Sequence, residues 1–198
     1  MKIEYYYGIP SPFTYLGSTK LQSIAKKYNA EIIEKPCDLV GGIFVKTGGI
    51  PVPQRSPQRQ KYRLDEIKRW SEFLNIKVNI KPKFFPPKDP HLPAKFTIAA
   101  NLLGTKVIFG HELLKLLWSE EKDISDIKNI ELVSNNFRID FKELSTLANS
   151  EKVSKIYSDN TEEAVKKNVF GAPTYIFNNE LFWGQDRLEF LERALKNA

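Results

Sequence analysis

Ser11-Pro12-Phe13-Thr14 stands where an extended segment hands over to a helical one, and this handover constrains the fold more than any other feature. Ahead of it runs Ile3-Glu4-Tyr5-Tyr6-Tyr7, rich in residues that favour a pleated strand. Behind it, Tyr15, Leu16, Leu21, Ile24 and Ala25 recur at helical spacing, with Lys20, Lys26 and Lys27 between them. Ser11 reads as an N-cap and Pro12 as the first helical residue, where a missing N–H costs nothing. The free amides and the dipole at such a terminus favour a negative charge. A second strand-like run follows, so residues 2–7, 12–28 and 30–36 form a βαβ unit with short connections.

Beyond that unit the pattern changes. Asp38 to Phe44 reads as a short helix, and Thr47-Gly48-Gly49-Ile50-Pro51-Val52-Pro53 is a loop on composition alone. Pro57 opens a helix in which Tyr62, Ile67, Trp70 and Phe73 are expected to share a face. The segment from Lys81 to Pro93 carries prolines at 82, 86, 87, 90 and 93 and resists regular structure. Three or four helices are expected between about 93 and 168, with Asp123 and Asp140 as caps. Strand-bearing ends around an all-helical middle predict an α/β fold with an inserted all-helical subdomain. The expected division is 1–37 with 169–198, and 38–168 for the insertion.

The closing third is β-rich again. Phe170-Gly171-Ala172-Pro173-Thr174-Tyr175-Ile176-Phe177 joins a small-residue turn to a strand, Asn178-Asn179 makes a hairpin turn, and Leu181-Phe182-Trp183 is the partner strand. Pro173 fits an edge strand, and most X-Pro bonds are trans. Gly184-Gln185-Asp186-Arg187-Leu188 opens a last helix with Leu188, Phe190, Leu191 and Leu195 expected to face inward. By electrostatics alone, Asp186 reads as a first-turn acid and Arg187 as a solvated cation.

Charge and composition narrow the function. A net charge of +6 and a pI near 9.2 suit solvated lysine-rich helix faces or the attraction of small anions. The densest basic stretch, Arg55 to Arg69, also carries Asp65 and Glu66 and lacks a nucleic-acid motif, so nucleic acid is not an expected partner. No apolar run approaches the roughly 20 residues that cross a bilayer, and Met1-Lys2-Ile3-Glu4 has no signal-peptide character. With Cys37 alone no internal disulfide forms, which points to the cytoplasm. Cys37 itself reads as a buried apolar residue. His91 and His111 have no ligand partners at metal-binding spacing. Nucleophile-elbow, P-loop and dinucleotide motifs are absent.

Taken together, several fragments resemble the 2-hydroxychromene-2-carboxylate isomerases and the related kappa-class glutathione transferases, within the disulfide-oxidoreductase-like thioredoxin superfamily. They are Ser11-Pro12-Phe13-Thr14-Tyr15-Leu16, the Thr47-Gly48-Gly49 loop, Tyr62-x-x-Asp65-x-x-x-Arg69-Trp70, and Trp118 ahead of Asp123-Ile124-Ser125-Asp126. Thr161-x-Glu163-Ala164-Val165, Val169-Phe170-Gly171-Ala172-Pro173-Thr174 and Glu180-Leu181-Phe182-Trp183-Gly184-Gln185-Asp186-Arg187-Leu188 complete the set.

The resemblance implies a thioredoxin-like fold, glutathione as cofactor, a homodimer and an anionic aromatic small-molecule substrate. Where redox relatives carry Cys-x-x-Cys, this chain has Ser11 and Thr14, so disulfide exchange is excluded by chemistry. Ser11 is implied as the residue that hydrogen-bonds the glutathione sulfur. Ala172, ahead of an implied cis-Pro173, would pair through its main chain with the cysteinyl backbone. Gln185, Asp186 and Arg187 would hold the γ-glutamyl end, and Arg59 stands where these proteins usually carry a carboxylate-binding lysine. Phe13 and Trp183 are candidates to stack on a substrate ring, although such residues are more often core; Tyr6 and Tyr62 carry the same reservation. One departure is Gly49, where the family loop typically has asparagine. The implied reaction interconverts 2-hydroxychromene-2-carboxylate and trans-o-hydroxybenzylidenepyruvate. Conjugation of electrophiles, or a non-catalytic binding role on a redox-dead scaffold, are the alternatives.

Overall fold

β1 (Lys2–Tyr7) pairs in parallel with β2 (Glu31–Pro36), and α1 (Pro12–Lys27) makes the crossover between them. β3 (Thr174–Phe177) runs antiparallel to β1, with Tyr6 opposite Thr174, and β4 (Glu180–Trp183) runs antiparallel to β3. The sheet order is therefore β2-β1-β3-β4. Asn178 and Asn179 turn the β3–β4 hairpin at φ 48° and 64°, the left-handed backbone that a two-residue hairpin needs. This computed structural model describes residues 1–105 and 108–198.

Between the two halves of the sheet the chain is helical. Leu39–Phe44 form a π-helical turn capped by Asp38, whose side chain accepts from the Gly41 N–H at 2.8 Å. The short α2 (Val45–Thr47) ends at Gly48, where φ of 75° favours glycine. After a 3-10 turn at Val52–Gln54 come α3 (Pro57–Leu74), α4 (His91–Leu102), α5 (Ile108–Glu120), α6 (Ile127–Asn136), α7 (Phe141–Ala148) and α8 (Glu151–Lys166). A second 3-10 turn, Gln185–Arg187, leads from β4 into α9 (Leu188–Lys196). Among the described residues no helix is long and apolar enough to cross a membrane.

The three consecutive tyrosines of β1 show how the sheet is covered. Tyr5 and Tyr7 point to one face and stack at 4.5 Å, and Tyr5 also stacks on Tyr175 at 5.3 Å. That face joins one apolar core with Leu21 and Ile24 of α1, Leu188 and Leu191 of α9, and Phe96, Leu113 and Trp118 of α4 and α5. Tyr6 points the other way, into a smaller cluster with Cys37, Ile43, Ala164, Val169 and Ile176. The sheet and the helical middle thus share one continuous core.

Three sequence expectations need correction. Asp140 does cap α7, but α6 is capped by Asp126; Asp123 instead accepts from the Ser125 N–H at 2.8 Å in the turn before it. On α3 only Arg63 and Ile67 are buried, while Tyr62 is 59% and Phe73 79% exposed, so the expected apolar face is not packed. Phe190 is 44% exposed and lies against Arg187 and Arg193 rather than facing inward. Its guanidinium neighbours offer an alternative to burial.

Candidate functional site

The handover from β1 to α1 is fixed at several atoms. Ser11 donates its N–H to the Gly8 carbonyl at 2.9 Å and caps α1 by accepting the Thr14 N–H at 3.3 Å. Its carbonyl accepts from Tyr15 at 3.2 Å. Pro12 carries no N–H, which leaves the Phe13 amide as the first-turn donor without a partner among the described residues. The Trp118 indole N–H reaches across from α5 to the Pro10 carbonyl at 3.3 Å, so the loop entering Ser11 is tied to the helical middle. Ser11 itself is half-buried. A free amide, a hydroxyl and a helix dipole converge here on the place where an anion is favoured.

Sheet register brings the second candidate to the same place. With Tyr6 opposite Thr174, extending the antiparallel ladder sets Ala172 level with Gly8, the residue that holds Ser11. The Ala172–Pro173 peptide bond is cis, as the sequence resemblance implied. The Pro173 carbonyl accepts from the Gly184 N–H at 2.9 Å, and Thr174 Oγ1 donates to the Gly171 carbonyl at 2.8 Å. Neither the N–H nor the carbonyl of Ala172 has a partner among the described residues. A half-exposed main-chain pair of this kind fits an extended peptide.

Gln185, Asp186 and Arg187 sit on the 3-10 turn packed against α1. A Cβ built at Gly17 would fall 2.8 Å from Gln185 Cβ and 2.9 Å from the Tyr175 hydroxyl, so only glycine lets the turn approach. Gln185 is buried by this contact. Asp186 and Arg187 remain exposed and pair with each other at 3.2 Å. Arg187 takes the N-cap position of α9 and no side chain caps that helix, so helix capping does not account for Asp186.

Arg59 lies on the opposite wall. It projects from α3 into a cavity of about 460 Å³ that Phe13, Arg55, Tyr62, Arg63 and Glu66 also line. Phe13 follows Ser11 by two residues, so the first turn of α1 borders this cavity, whereas Ser11, Ala172 and Gln185–Arg187 are not among its lining residues. Trp183 does not line it: half-exposed, it covers Gly171, where a Cβ would meet its Nε1 at 2.3 Å, and stands edge-on to Phe170 at 4.7 Å. Tyr6 is buried on the far face of the sheet. Gly49 has no room for the asparagine of related loops. A Cβ there would lie 2.1 Å from the Phe44 ring, so a phenylalanine fills that direction.

The remaining reactive groups are accounted for locally. Burial pushes the Cys37 thiol up to about 12, with Asp38 adding to the effect, so it stays protonated and unreactive. His91 Nδ1 lies 3.1 Å from the Tyr157 hydroxyl, and partly buried His111 stacks on Tyr15 at 5.6 Å, its Nδ1 without a hydrogen-bond partner among the described residues.

Sequence reasoning passed over Arg63 and Arg55. Their spacing with Arg59, every fourth residue, was the available signal; it was read as a solvated helix face. Arg55 donates Nε to the Ile50 carbonyl at 2.7 Å, which ties the Gly- and Pro-rich loop to this wall.

Comparison with known proteins bears on the family and the fold. The chain is 26% identical over 204 residues to the 2-hydroxychromene-2-carboxylate isomerase of Pseudomonas putida, covering 98% of this chain and 94% of that protein. It is 24% identical over 205 residues to glutathione S-transferase kappa 1 of Rattus norvegicus, covering 98% and 90%. A solved structure of a 2-hydroxychromene-2-carboxylate isomerase superposes with a TM-score of 0.82 at 23% identity, covering all of this chain and 95% of that one. The model of the DSBA-like thioredoxin domain matches residues 2–196. From its sheet order to its helical middle, this chain belongs to the DSBA-like thioredoxin domain family.

Proposed function

We propose that this chain is a glutathione-dependent isomerase acting on 2-hydroxychromene-2-carboxylate or a related aromatic pyruvate. Segments 1–37 and 169–198 would hold glutathione, and 38–168 would shape the place of the second substrate. The observation that carries the reading is the unpartnered main chain of Ala172, held level with the loop that positions Ser11. Glutathione is a peptide with a thiol at its centre, and the two features match its two recognisable parts.

When bound, glutathione supplies a thiolate that adds reversibly beside the ring, lends the double bond single-bond character for rotation, and leaves unconsumed. The protein's part is to position and stabilise. Ser11 donates its hydroxyl to the sulfur; an alcohol does not ionise appreciably near neutral pH, so it acts as a donor and not as a nucleophile. The Phe13 amide and the dipole of α1 add to the same stabilisation. Ala172 offers an acceptor and a donor to the cysteinyl backbone. Asp186, exposed at the turn, pairs with the γ-glutamyl ammonium with Gln185 and Arg187 beside it, and Arg59 takes a carboxylate. At Gly49, where related loops carry asparagine, the Phe44 ring occupies the direction a side chain would take.

A second reading, conjugation of an electrophile, draws on the full-length similarity to the kappa 1 transferase. One assay separates the two. Turnover of the chromene carboxylate with the glutathione pool unchanged supports the isomerase, and stoichiometric loss of glutathione supports the transferase. An absence of glutathione binding by calorimetry would remove both.

A further inference from the structure

Arg63 is the anomaly of the cleft. It is 9% exposed, yet its guanidinium has no ion pair and no hydrogen bond among the described residues. Its close side-chain contacts among the described residues include two aromatic rings: the guanidinium carbon lies 5.0 Å from the centre of the Phe85 ring and 5.9 Å from that of Trp118. Those two rings meet at 5.1 Å and form a platform under it. Ring faces interact with the flat of a guanidinium and leave its edge of N–H donors open to the cleft. The one carboxylate lining the cleft, Glu66, is already paired with Arg69. Burial lowers the pKa of Arg63 to about 10, with the nearby Arg55 charge adding to it, so the group stays charged at neutral pH without a counter-charge. A largely buried cation with no counter-charge, its donor edge facing a cavity, favours an anionic ligand there.

From this arrangement we infer that Arg63, seconded by Arg55, is the specificity-determining residue for the second substrate, receiving the carboxylate of a planar aryl oxo-acid whose ring lies between Phe13 and Tyr62. The inference deepens the proposed function and rests on it for the presence of glutathione beside this subsite. A planar carboxylate matches the guanidinium edge in two parallel hydrogen bonds. The cavity has the size of a small-molecule site and carries apolar walls at Phe13 and Tyr62. The Trp118 ring under Arg63 also bonds to the Pro10 carbonyl next to Ser11, so the subsite and the helix terminus are built on one support. Arg59, exposed at the mouth, is left for glutathione.

The test is calorimetry of the full chain with phenylpyruvate and with its methyl ester, with and without glutathione, on wild type, Arg63→Met, Arg63→Lys and Arg59→Met. Circular dichroism and thermal unfolding establish that each variant is folded. Phenylpyruvate should bind wild type and lose about 10- to 100-fold in Arg63→Met, the range expected for a charged hydrogen-bonded contact. The ester should bind weakly and equally to both. Arg63→Lys should recover part of the loss, and should carry the test by itself if Arg63→Met does not fold. Arg59→Met should weaken glutathione and leave phenylpyruvate in place. Equal binding of phenylpyruvate to wild type and the Arg63 variants, or its full displacement by glutathione, would overturn the inference. Phenylpyruvate binding that depends on Arg63 while glutathione fails to bind would leave the subsite standing and remove the glutathione reading.

Discussion

The candidate site residues fall on two sides of the molecule, the α1 side and the α3 side, and the two are held by different physics. The wall formed by α1, β3 and the 185–187 turn is over-determined: sheet register fixes Ala172, Gly17 admits Gln185, and Trp118 ties down Pro10. The α3 wall is one polar helix that buries only Arg63 and Ile67 and presents Tyr62 to solvent. Gly17 and Gln185 on the first side cannot change without disturbing the core, whereas exposed residues of the second, such as Tyr62 and Arg59, can change with little effect on folding. On the proposed reading the fold would fix where a thiol is held, and the exposed residues of α3 would be free to vary what meets it.

The largest expected effect breaks the first wall chemically. Ser11→Ala should keep its fold and its glutathione contacts elsewhere, yet lose about 10²- to 10³-fold in kcat/KM, the cost of removing one donor to a developing or bound anion. Steady-state kinetics with the chromene carboxylate checks this; an unchanged rate refutes the donor role. Next comes packing. Gly17→Ala drives a methyl into Gln185 and the Tyr175 hydroxyl and should destabilise the chain by about 1–3 kcal/mol, read from the urea midpoint. Tyr62→Ala on the other wall should change that midpoint by no more than about 0.5 kcal/mol, even if it alters substrate preference. Equal losses at positions 17 and 62 would erase the contrast between the walls.

A further small effect lies away from the cleft, where Lys35 and Lys167 flank Glu163 and Lys167 also reaches Glu4 at 2.6 Å. Burial tends to raise the Glu163 carboxyl, but the two lysines outweigh it and hold it below the ordinary value of 4.5. A depressed carboxylate adds stability above its unfolded pKa and loses it as pH falls through the folded one. Glu163→Gln should therefore cost under about 1 kcal/mol at neutral pH, because the group is partly exposed, and nothing below the acid transition. Urea unfolding at pH 7 and at acid pH checks the sign.

What was legible in the sequence follows the same division. The strand–cap–helix handover, the βαβ unit and the closing hairpin were readable because local rules and tertiary structure agree there: Ser11 caps, Pro12 opens and Asn178-Asn179 turns. The candidate site residues on that side were named from the family resemblance, whose motifs are local stretches of sequence. The α3 wall was not readable. Tyr62, Ile67 and Phe73 have helical spacing, but spacing does not say which side of a helix another element will cover. Arg63 was hidden for a related reason: its significance depends on Phe85 and Trp118, both distant in sequence, and on the absence of a carboxylate partner. Phe44 filling the place beside Gly49 is a contact that no motif announces.

The central claim, that the α1 terminus is a cradle for a borrowed thiolate, is tested most directly by titrating the ultraviolet thiolate absorbance of bound glutathione. The account predicts a thiol that ionises well below the free value of about 8.5 in the wild type, and one that moves back towards it in Ser11→Ala. Bound glutathione that titrates where the free thiol does, with or without the Ser11 hydroxyl, would contradict it.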